Sequence, residues 1–224
     1  DDGGKTWEIS YIQAQADAAL TTIAVDSFDP KKIYVGLSNG TILQSVDGGK
    51  AWTPLYRAES GITKILVHPK DTRIVIVLTE KDGPYRSANA GRDWQSFRSP
   101  LERYRDALAG QQIAADPRNA DSLFYISNFG LLKTANGGTS WEEVPLLHSP
   151  RITPVTAFAV AREKPEYLYY TAGATLYRSK NSGKTWTTTA LPTTKVPSVL
   201  LVHPKDEKTL YLGIKRPKKQ SLFP

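Results

Sequence analysis

Short apolar runs recur along the chain in groups. Each group opens with a run in which small and β-branched residues fill consecutive positions. Such a run is typical of a strand buried on both faces, whereas strict alternation indicates one solvated face. We therefore predict an inner first strand in each of five repeats. These strands cover residues 20–25, 62–67, 112–115, 157–160 and 198–202.

A turn rich in Asp, Pro and Lys follows each first strand. Proline fixes φ and Asp bonds to the local backbone, so these turns favour hairpin connections. The turns lie at residues 29–31, 68–71, 116–118, 163–165 and 203–206. Second strands are predicted at 33–36, 74–78, 123–126, 167–170 and 210–212, and third strands at 41–44, 84–86, 130–133 and 175–178.

Every tryptophan of the chain ends the same short motif, which follows the third strand. In its first complete copy, residues 45–52 read Ser-Val-Asp-Gly-Gly-Lys-Ala-Trp; further copies occupy 87–94, 134–141 and 179–186, and a shortened one occupies 2–7. The tryptophans are 45, 42, 47 and 45 residues apart. A strand-rich period in the forties predicts the blades of a β-propeller, with each motif forming the hairpin between the third and fourth strands.

We interpret the motif as structural. Its Asp or Asn can accept backbone N–H groups, its glycine favours a positive φ, and its tryptophan is expected to wedge between neighbouring sheets. Calcium ligation or catalysis is disfavoured because three of the five copies carry Asn. The structural residues are Asp2, Trp7, Asp47, Trp52, Asn89, Trp94, Asn136, Trp141, Asn181 and Trp186.

The repeats predict a single domain over residues 1–224, an all-β propeller of five four-stranded blades. The repeats are expected at about 20–57, 62–100, 111–147, 155–191, and 197–224 together with 1–13. The chain starts near a fourth strand, residues 6–11, and ends after a second strand. We therefore expect the two ends to join in one blade and close the ring; a propeller with more blades is the alternative.

The composition narrows the class of function. Without cysteine, the chain has no disulfide, thiolate metal site or cysteine nucleophile. No apolar run approaches the ~18 residues that cross a bilayer. A net charge of +7 favours acidic partners. The absence of methionine leads us to expect a processed chain. The absence of cysteine suits a protein that works outside the cytoplasm, and we expect any membrane anchor to lie beyond these residues.

The motif Ser-x-Asp-x-Gly-x-Thr-Trp is identified as the Asp-box, also called the bacterial neuraminidase repeat. Together with the strand pattern, this resemblance covers essentially the whole chain. The chain resembles the propellers of sortilin, of xyloglucanases and of the photosystem II stability and assembly factors. The resemblance implies the propeller fold, and it leaves the function open between a protein-binding scaffold and an enzyme.

In a propeller, the fourth-to-first and second-to-third connections share one face, where ligands usually dock. The longest such connection, residues 98–110, is rich in arginine. Guanidinium groups capture carboxylates with paired hydrogen bonds, and Arg with Tyr is typical of binding hot spots. We predict a rim that binds an acidic protein segment or a carboxylate. Its residues are Tyr56, Arg57, Arg98, Arg103, Tyr104, Arg105 and Arg151.

A glycoside hydrolase or a carbohydrate-binding propeller is the alternative to this scaffold. A glycosidase needs two carboxylates about 5–10 Å apart. The candidates are Asp17, Glu59, Glu80, Asp82, Glu102 and Asp106. Because these lie among basic or turn residues, we predict no catalytic residue. The equivalent turn positions of His68 and His203 favour turn chemistry over metal binding. We expect no metal, no cofactor and no nucleic acid, and we expect another protein or protein complex as the partner.

Overall fold

The computed structural model describes residues 4–10 and 18–214. Within these ranges the structure consists of antiparallel β-sheets and one short helix, α1 (Arg98–Leu101). The first sheet contains β1 (Leu20–Val25), β2 (Ile33–Leu37), β3 (Thr41–Ser45) and β4 (Thr53–Arg57). The second contains β5 (Ile62–Val67), β6 (Val75–Thr79), β7 (Pro84–Ser87) and β8 (Gln95–Ser96).

The remaining sheets repeat this meander, in which each strand pairs with the next along the chain. The third sheet contains β9 (Gly110–Asp116), β10 (Asn119–Ser127), β11 (Leu131–Thr134) and β12 (Glu142–Val144). The fourth contains β13 (Val155–Val160), β14 (Leu168–Ala172), β15 (Thr175–Ser179) and β16 (Thr187–Ala190). The fifth has two strands in the described residues, β17 (Pro197–His203) and β18 (Asp206–Ile214).

The sequence prediction of strand order is confirmed, and the main difference lies at two turns. β10 and β18 each begin four residues before the predicted start. The pairing of β17 with β18 continues to His203 and Asp206, beside the turn itself. Apolar patterning marks only the buried part of a strand, whereas the backbone ladder runs on through polar residues to a tight turn.

The chain folds as two compact units. One contains residues 4–103 and 108–110, and the other contains residues 104–107 and 111–214, as far as they are described. In the first unit, the first and second sheets pack face to face. Tyr34 and Ile42 of the first sheet join Ile62, Val75 and Val77 of the second in one buried cluster. The apolar runs of the second strands β2 and β6 are buried along nearly their whole length. The sequence predicts such burial for the first strands, and that prediction is wrong for β1, in which Leu20, Ile23 and Val25 are each more than half exposed.

Two such interfaces build the second unit. Phe124, Val144, Phe158 and Tyr170 bury the face between the third and fourth sheets. Between the fourth and fifth sheets, Ala157 and Ala159 of β13 and Ala161, directly after it, form a cluster with Leu200. Alanines let the sheet backbones approach closely, which accounts for the small side chains in the first-strand runs.

The N-terminal segment departs from the prediction. Residues 6–10 belong to no strand, and Trp7 is 88% exposed, so the expected wedging of Trp7 between sheets is wrong. The complete motifs have a paired third strand beside the tryptophan, and the described residues contain no such partner for this segment. Asp2 and residue 11 lie outside the described residues. Closure of the ring by the chain ends stays a prediction.

Candidate functional site

The motif hairpins are held together by their own side chains. Ser45 donates its hydroxyl to Asp47 Oδ1 at 2.8 Å and accepts the N–H of Gly49 at 2.8 Å. Asp47 Oδ1 also accepts the N–H groups of Lys50 (2.9 Å) and Ala51 (3.0 Å). The hydrogen bonds from Ala51 and Ser45 lower the pKa of Asp47. This carboxylate is therefore committed to its turn, which confirms the predicted hydrogen bonding.

Asn replaces Asp in the other three complete motifs and makes one extra contact. Its Oδ1 accepts the backbone N–H four residues later, as in the Asp47 copy. In addition, its Nδ2 donates to the side chain of that same residue. The pairs are Asn89 with Asp93 (2.6 Å), Asn136 with Ser140 (2.8 Å) and Asn181 with Thr185 (2.8 Å).

The indole N–H groups of the tryptophans donate to two kinds of acceptor, one within the same motif and one in the preceding sheet's connection. Trp141 is 2% exposed, and its Nε1–H donates to Gly138 O within its own motif. Trp186 instead donates to Pro145 O, in the segment that follows β12 of the preceding sheet, at 2.8 Å. The predicted packing of the tryptophan against a neighbouring sheet is thus present at Trp186.

Histidine and aspartate serve the turns between first and second strands. Nδ1 of the buried His68 accepts the N–H groups of Lys70 (3.2 Å) and Asp71 (3.1 Å). Asp26 Oδ1 does the same for Phe28 and Asp29 in the first sheet. The ring nitrogen and the carboxylate oxygen therefore play one local role. Across residues 4–10 and 18–214, no group of three His, Asp or Glu side chains is arranged to hold a metal ion.

In the first unit, Arg98 lies among acidic side chains. Its guanidinium lies 3.1 Å from Asp82 Oδ1, 3.6 Å from Glu59 Oε2 and 3.0 Å from Glu102 Oε1. Asp82 is buried, and its second oxygen, Oδ2, has no hydrogen-bond partner among the described residues. Three carboxylates around one cation leave this part of the rim with a local negative charge. An incoming carboxylate would be repelled here.

The other predicted rim residues of the first unit lie in two environments. Tyr56 is half-buried and stacks on Trp94, with ring centroids 5.8 Å apart, so it also belongs to the packing of the first two sheets. Arg57, at the end of β4, and Arg103, after α1, are exposed.

In the second unit, the structure brings Arg105 and Arg151 together at Asp106, and Tyr104 lies in the same connection as Arg105. Nη2 of Arg151 lies 3.5 Å from Asp106 Oδ2, and Nε of Arg105 lies 3.7 Å from the same oxygen. Tyr104 donates its hydroxyl to the Trp141 carbonyl, and its ring meets Phe129 edge to face at 5.1 Å. Two exposed guanidinium groups thus share one carboxylate, which leaves one positive charge in excess.

A pocket of about 280 Å³ opens beside this cluster in the second unit. Its walls come from the β10–β11 connection and from β12 with the segment after it. They include Phe129, Leu131, Val144, Leu146 and Pro150. Sequence analysis missed this pocket because its lining mixes apolar residues with Glu143, His148 and Ser149 and follows no motif. The available signal was position: both segments are connections of the face where ligands dock.

His148 forms part of the pocket wall and packs within an aromatic cluster. Its ring centroid lies 5.5 Å from that of Tyr170 and 5.2 Å from that of Tyr177. Neither ring nitrogen has a hydrogen-bond partner in the described residues. Burial raises the pKa of Tyr170, so its phenol stays protonated.

The carboxylates proposed for a glycosidase are distributed unfavourably. Glu59, Asp82 and Glu102 all contact Arg98, and Asp106 lies between two arginines. Glu80 is exposed, and Asp17 lies outside the described residues. Each of the first four carboxylates is therefore engaged by an arginine.

Comparisons with known proteins confirm the suspected resemblance. The family profile described as "Sortilin, neurotensin receptor 3" matches residues 40–134. The vacuolar protein sorting/targeting protein 10 of Mycosarcoma maydis is 28% identical over 117 residues, which is 51% of this chain and 8% of that protein. Its counterpart in Laccaria bicolor is 30% identical over 96 residues, 42% of this chain and 6% of that protein. The chain therefore spans less than a tenth of these relatives.

Solved structures confirm the predicted fold class. An ancestral GH74 enzyme superposes with a TM-score of 0.73 at 18% identity, over 89% of this chain and 30% of that one. YCF48 from Cyanidioschyzon merolae superposes with a TM-score of 0.63 at 16% identity, over 88% of this chain and 64% of that one. At these identities the likeness establishes an Asp-box β-propeller fold and says nothing about activity. No helix in the described ranges is long and apolar enough to cross a membrane.

Proposed function

We propose that this chain is a non-enzymatic binding module that holds an acidic segment of another protein on the cationic cluster of its second unit. Three residues form this cluster: Tyr104, Arg105 and Arg151. The observation that carries the proposal is the pair of exposed guanidinium groups that share the single carboxylate of Asp106. A partner carboxylate can replace or join Asp106 in bidentate contacts, because each guanidinium presents several N–H donors.

The comparisons support a protein partner more than a sugar. The sequence matches are to vacuolar protein sorting/targeting proteins and to a receptor family, whereas the GH74 likeness is one of fold alone. Rim charges raise association rates and set specificity, so the cluster suits reversible capture of an acidic chain. Arg98, with its three carboxylates, is left out of the proposed contact surface.

Charge reversal tests the proposal. Arg105→Glu with Arg151→Glu should weaken binding of an acidic peptide by about tenfold or more, because attraction becomes repulsion at both positions. Fluorescence anisotropy with a labelled Asp-rich peptide measures the affinity, and a thermal melt checks the fold. The matched control is Lys184→Glu with Lys205→Glu, two exposed lysines of the same unit that lie in turns away from the cluster. Equal affinities of the two double variants would contradict the proposal.

A glycoside hydrolase or carbohydrate-binding propeller is the second candidate, favoured by the GH74 likeness in fold. It predicts that the wild type hydrolyses or binds an oligosaccharide, and that Glu59, Glu102 or Asp106 controls turnover. Reproducible hydrolysis, lost on changing one of these carboxylates to its amide, would replace the scaffold proposal.

We also propose that the module works outside the cytoplasm, on the periplasmic side or at a cell surface. The cysteine-free composition and the matches to sorting-receptor relatives support this. Cell fractionation with an antibody against this chain tests it, and a purely cytoplasmic signal would contradict it.

A further inference from the structure

We infer that the pocket beside the cationic cluster receives one apolar side chain of the acidic segment. The inference rests on the proposed function and adds the sequence type of the partner: an uncharged apolar residue flanked by Asp or Glu. Two features of the second unit carry it, the composition of the pocket and its continuity with Arg151.

The pocket suits a side chain better than a larger ligand. Its volume of about 280 Å³ is at or below the lower end of the ~300–1,000 Å³ typical of small-molecule sites. Phe129, Leu146 and Pro150 line it with apolar groups, and Ser149 and His148 line it with uncharged or weakly basic polar groups. Glu143 also lines it, and its carboxylate would repel a second acid. The pocket therefore selects an uncharged residue.

The pocket and the cationic cluster are continuous. Pro150 lines the pocket and immediately precedes Arg151, which contacts Asp106. At the other side, Phe129 lines the pocket and packs on Tyr104. An extended peptide advances about 3.3 Å per residue. A partner with its apolar side chain in the pocket would thus place a carboxylate near Arg151 within one or two residues.

The test uses labelled peptides of the form Asp-Asp-X-Asp-Asp, in which X is Leu, Phe or Ser. Wild-type protein should bind the Leu or Phe peptide at least about tenfold more tightly than the Ser peptide, since burial of about two methylene groups already accounts for a tenfold difference. Ser149→Trp, which adds a large ring to the pocket lining, should bring this ratio close to one, and Leu146→Ala, which removes an apolar wall, should lower it. In both variants the dependence of binding on Arg105 and Arg151 should remain.

Leu147→Ala is the matched control, since Leu147 adjoins Leu146 but is 58% exposed and does not line the pocket. It should leave the ratio unchanged. A second readout is the carbon–proton NMR signal of the His148 ring, which should shift with the Leu peptide and not with the Ser peptide.

The outcomes separate the two proposals. Equal binding of all three peptides, still lost on reversing Arg105 and Arg151, would overturn the pocket inference and leave the binding module in place. Displacement of the Leu peptide by a neutral oligosaccharide at the His148 ring would overturn the inference in favour of a sugar site. Absence of binding by every peptide would overturn both proposals.

Discussion

The Asp and Asn forms of the motif are interchangeable only where the fourth residue after them allows it. Asn136→Asp should change the free energy of unfolding little, because Ser140 can turn its hydroxyl to donate to a carboxylate. Asn89→Asp should destabilise by about 1 kcal/mol, because it places a carboxylate against Asp93 Oδ2 in place of an amide donor. Denaturant unfolding measures both variants.

The size of this effect depends on pH. In the Asn89→Asp variant, protonating the introduced carboxyl group restores a donor at this position. The cost of the substitution should therefore shrink as the pH falls below about 4. The double change Asn89→Asp with Asp93→Ser should recover wild-type stability. A cost that is the same for Asn89→Asp and Asn136→Asp would contradict this reading of the contacts.

The stability lost on replacing a tryptophan should depend on how deeply its side chain is buried, and not on its place in the motif. Trp141→Ala should cost about 3–5 kcal/mol, since Trp141 is 2% exposed and its removal leaves a cavity. Trp7→Ala should be close to neutral, because Trp7 is 88% exposed. Thermal melts of the two variants distinguish them, and equal losses would show that Trp7 is packed in solution.

Asp26 makes the stability of the turn between β1 and β2 depend on pH. Burial alone would raise its pKa, but hydrogen bonds from Phe28, Thr72 and Asp29 and the charge of Lys32 outweigh burial and lower it. Because the pKa of Asp26 is lower in the folded state, its carboxylate contributes to the free energy of unfolding. This contribution is complete above the unfolded pKa of about 4 and is lost as the pH falls through the folded pKa. Asp26→Asn should flatten the stability curve below pH 4, and an unchanged curve would contradict the contribution.

Neighbouring sheets contact each other closely where the fourth strand of one sheet packs against a glycine in the motif of the next sheet. A Cβ added at Gly183 would overlap Val144, and one added at Gly91 would overlap Leu55. Ser10 occupies the same place against Gly49. The residue meeting each glycine is the third after the preceding tryptophan. Residues 4–10 thus hold a fourth-strand position although they form no strand.

A pair of glycine variants tests this contact. Gly183→Ala should be clearly more destabilising than Gly48→Ala. Both glycines have a positive φ, 85° and 79°, which costs an L-residue about 1–2 kcal/mol. Only Gly183 has a neighbour in the way, since nothing lies within 4 Å of a Cβ at Gly48. Denaturant unfolding gives the difference, and equal costs would show that the clash is relieved by a small shift of Val144.

The elements could be predicted because the information is local. Strand order, the hairpin motif and the turn role of His68 all depend on residues within a few positions of one another, so periodicity and turn chemistry suffice. The site was harder to predict. From the sequence, Arg98 is predicted to be a cation available for binding on the rim. In the structure it pairs with Glu59 and Asp82, which lie in connections 39 and 16 residues away. Charge balance at a rim is a property of the fold and not of the chain order.

The closure of the whole ring remains a sequence prediction with a clean test. The chain has no cysteine, so spin labels can be placed at Glu8→Cys and Lys208→Cys without background. Adjacent strands lie about 5 Å apart, and strands separated by one lie about 10 Å apart. Closure therefore predicts a short interlabel distance, seen as dipolar broadening of the continuous-wave electron paramagnetic resonance spectrum. A long distance would favour a propeller with more blades.

The binding function is tested most directly by exchanging charges between the protein and its ligand. The protein with Arg105→Glu and Arg151→Glu should lose affinity for the peptide Asp-Asp-Leu-Asp-Asp and gain affinity for Lys-Lys-Leu-Lys-Lys, while wild type shows the reverse preference. Both preferences should weaken as salt rises, because rim charges are screened beyond ~8–10 Å at physiological ionic strength. If the reversed protein keeps the preference of the wild type, the two arginines do not form the binding surface.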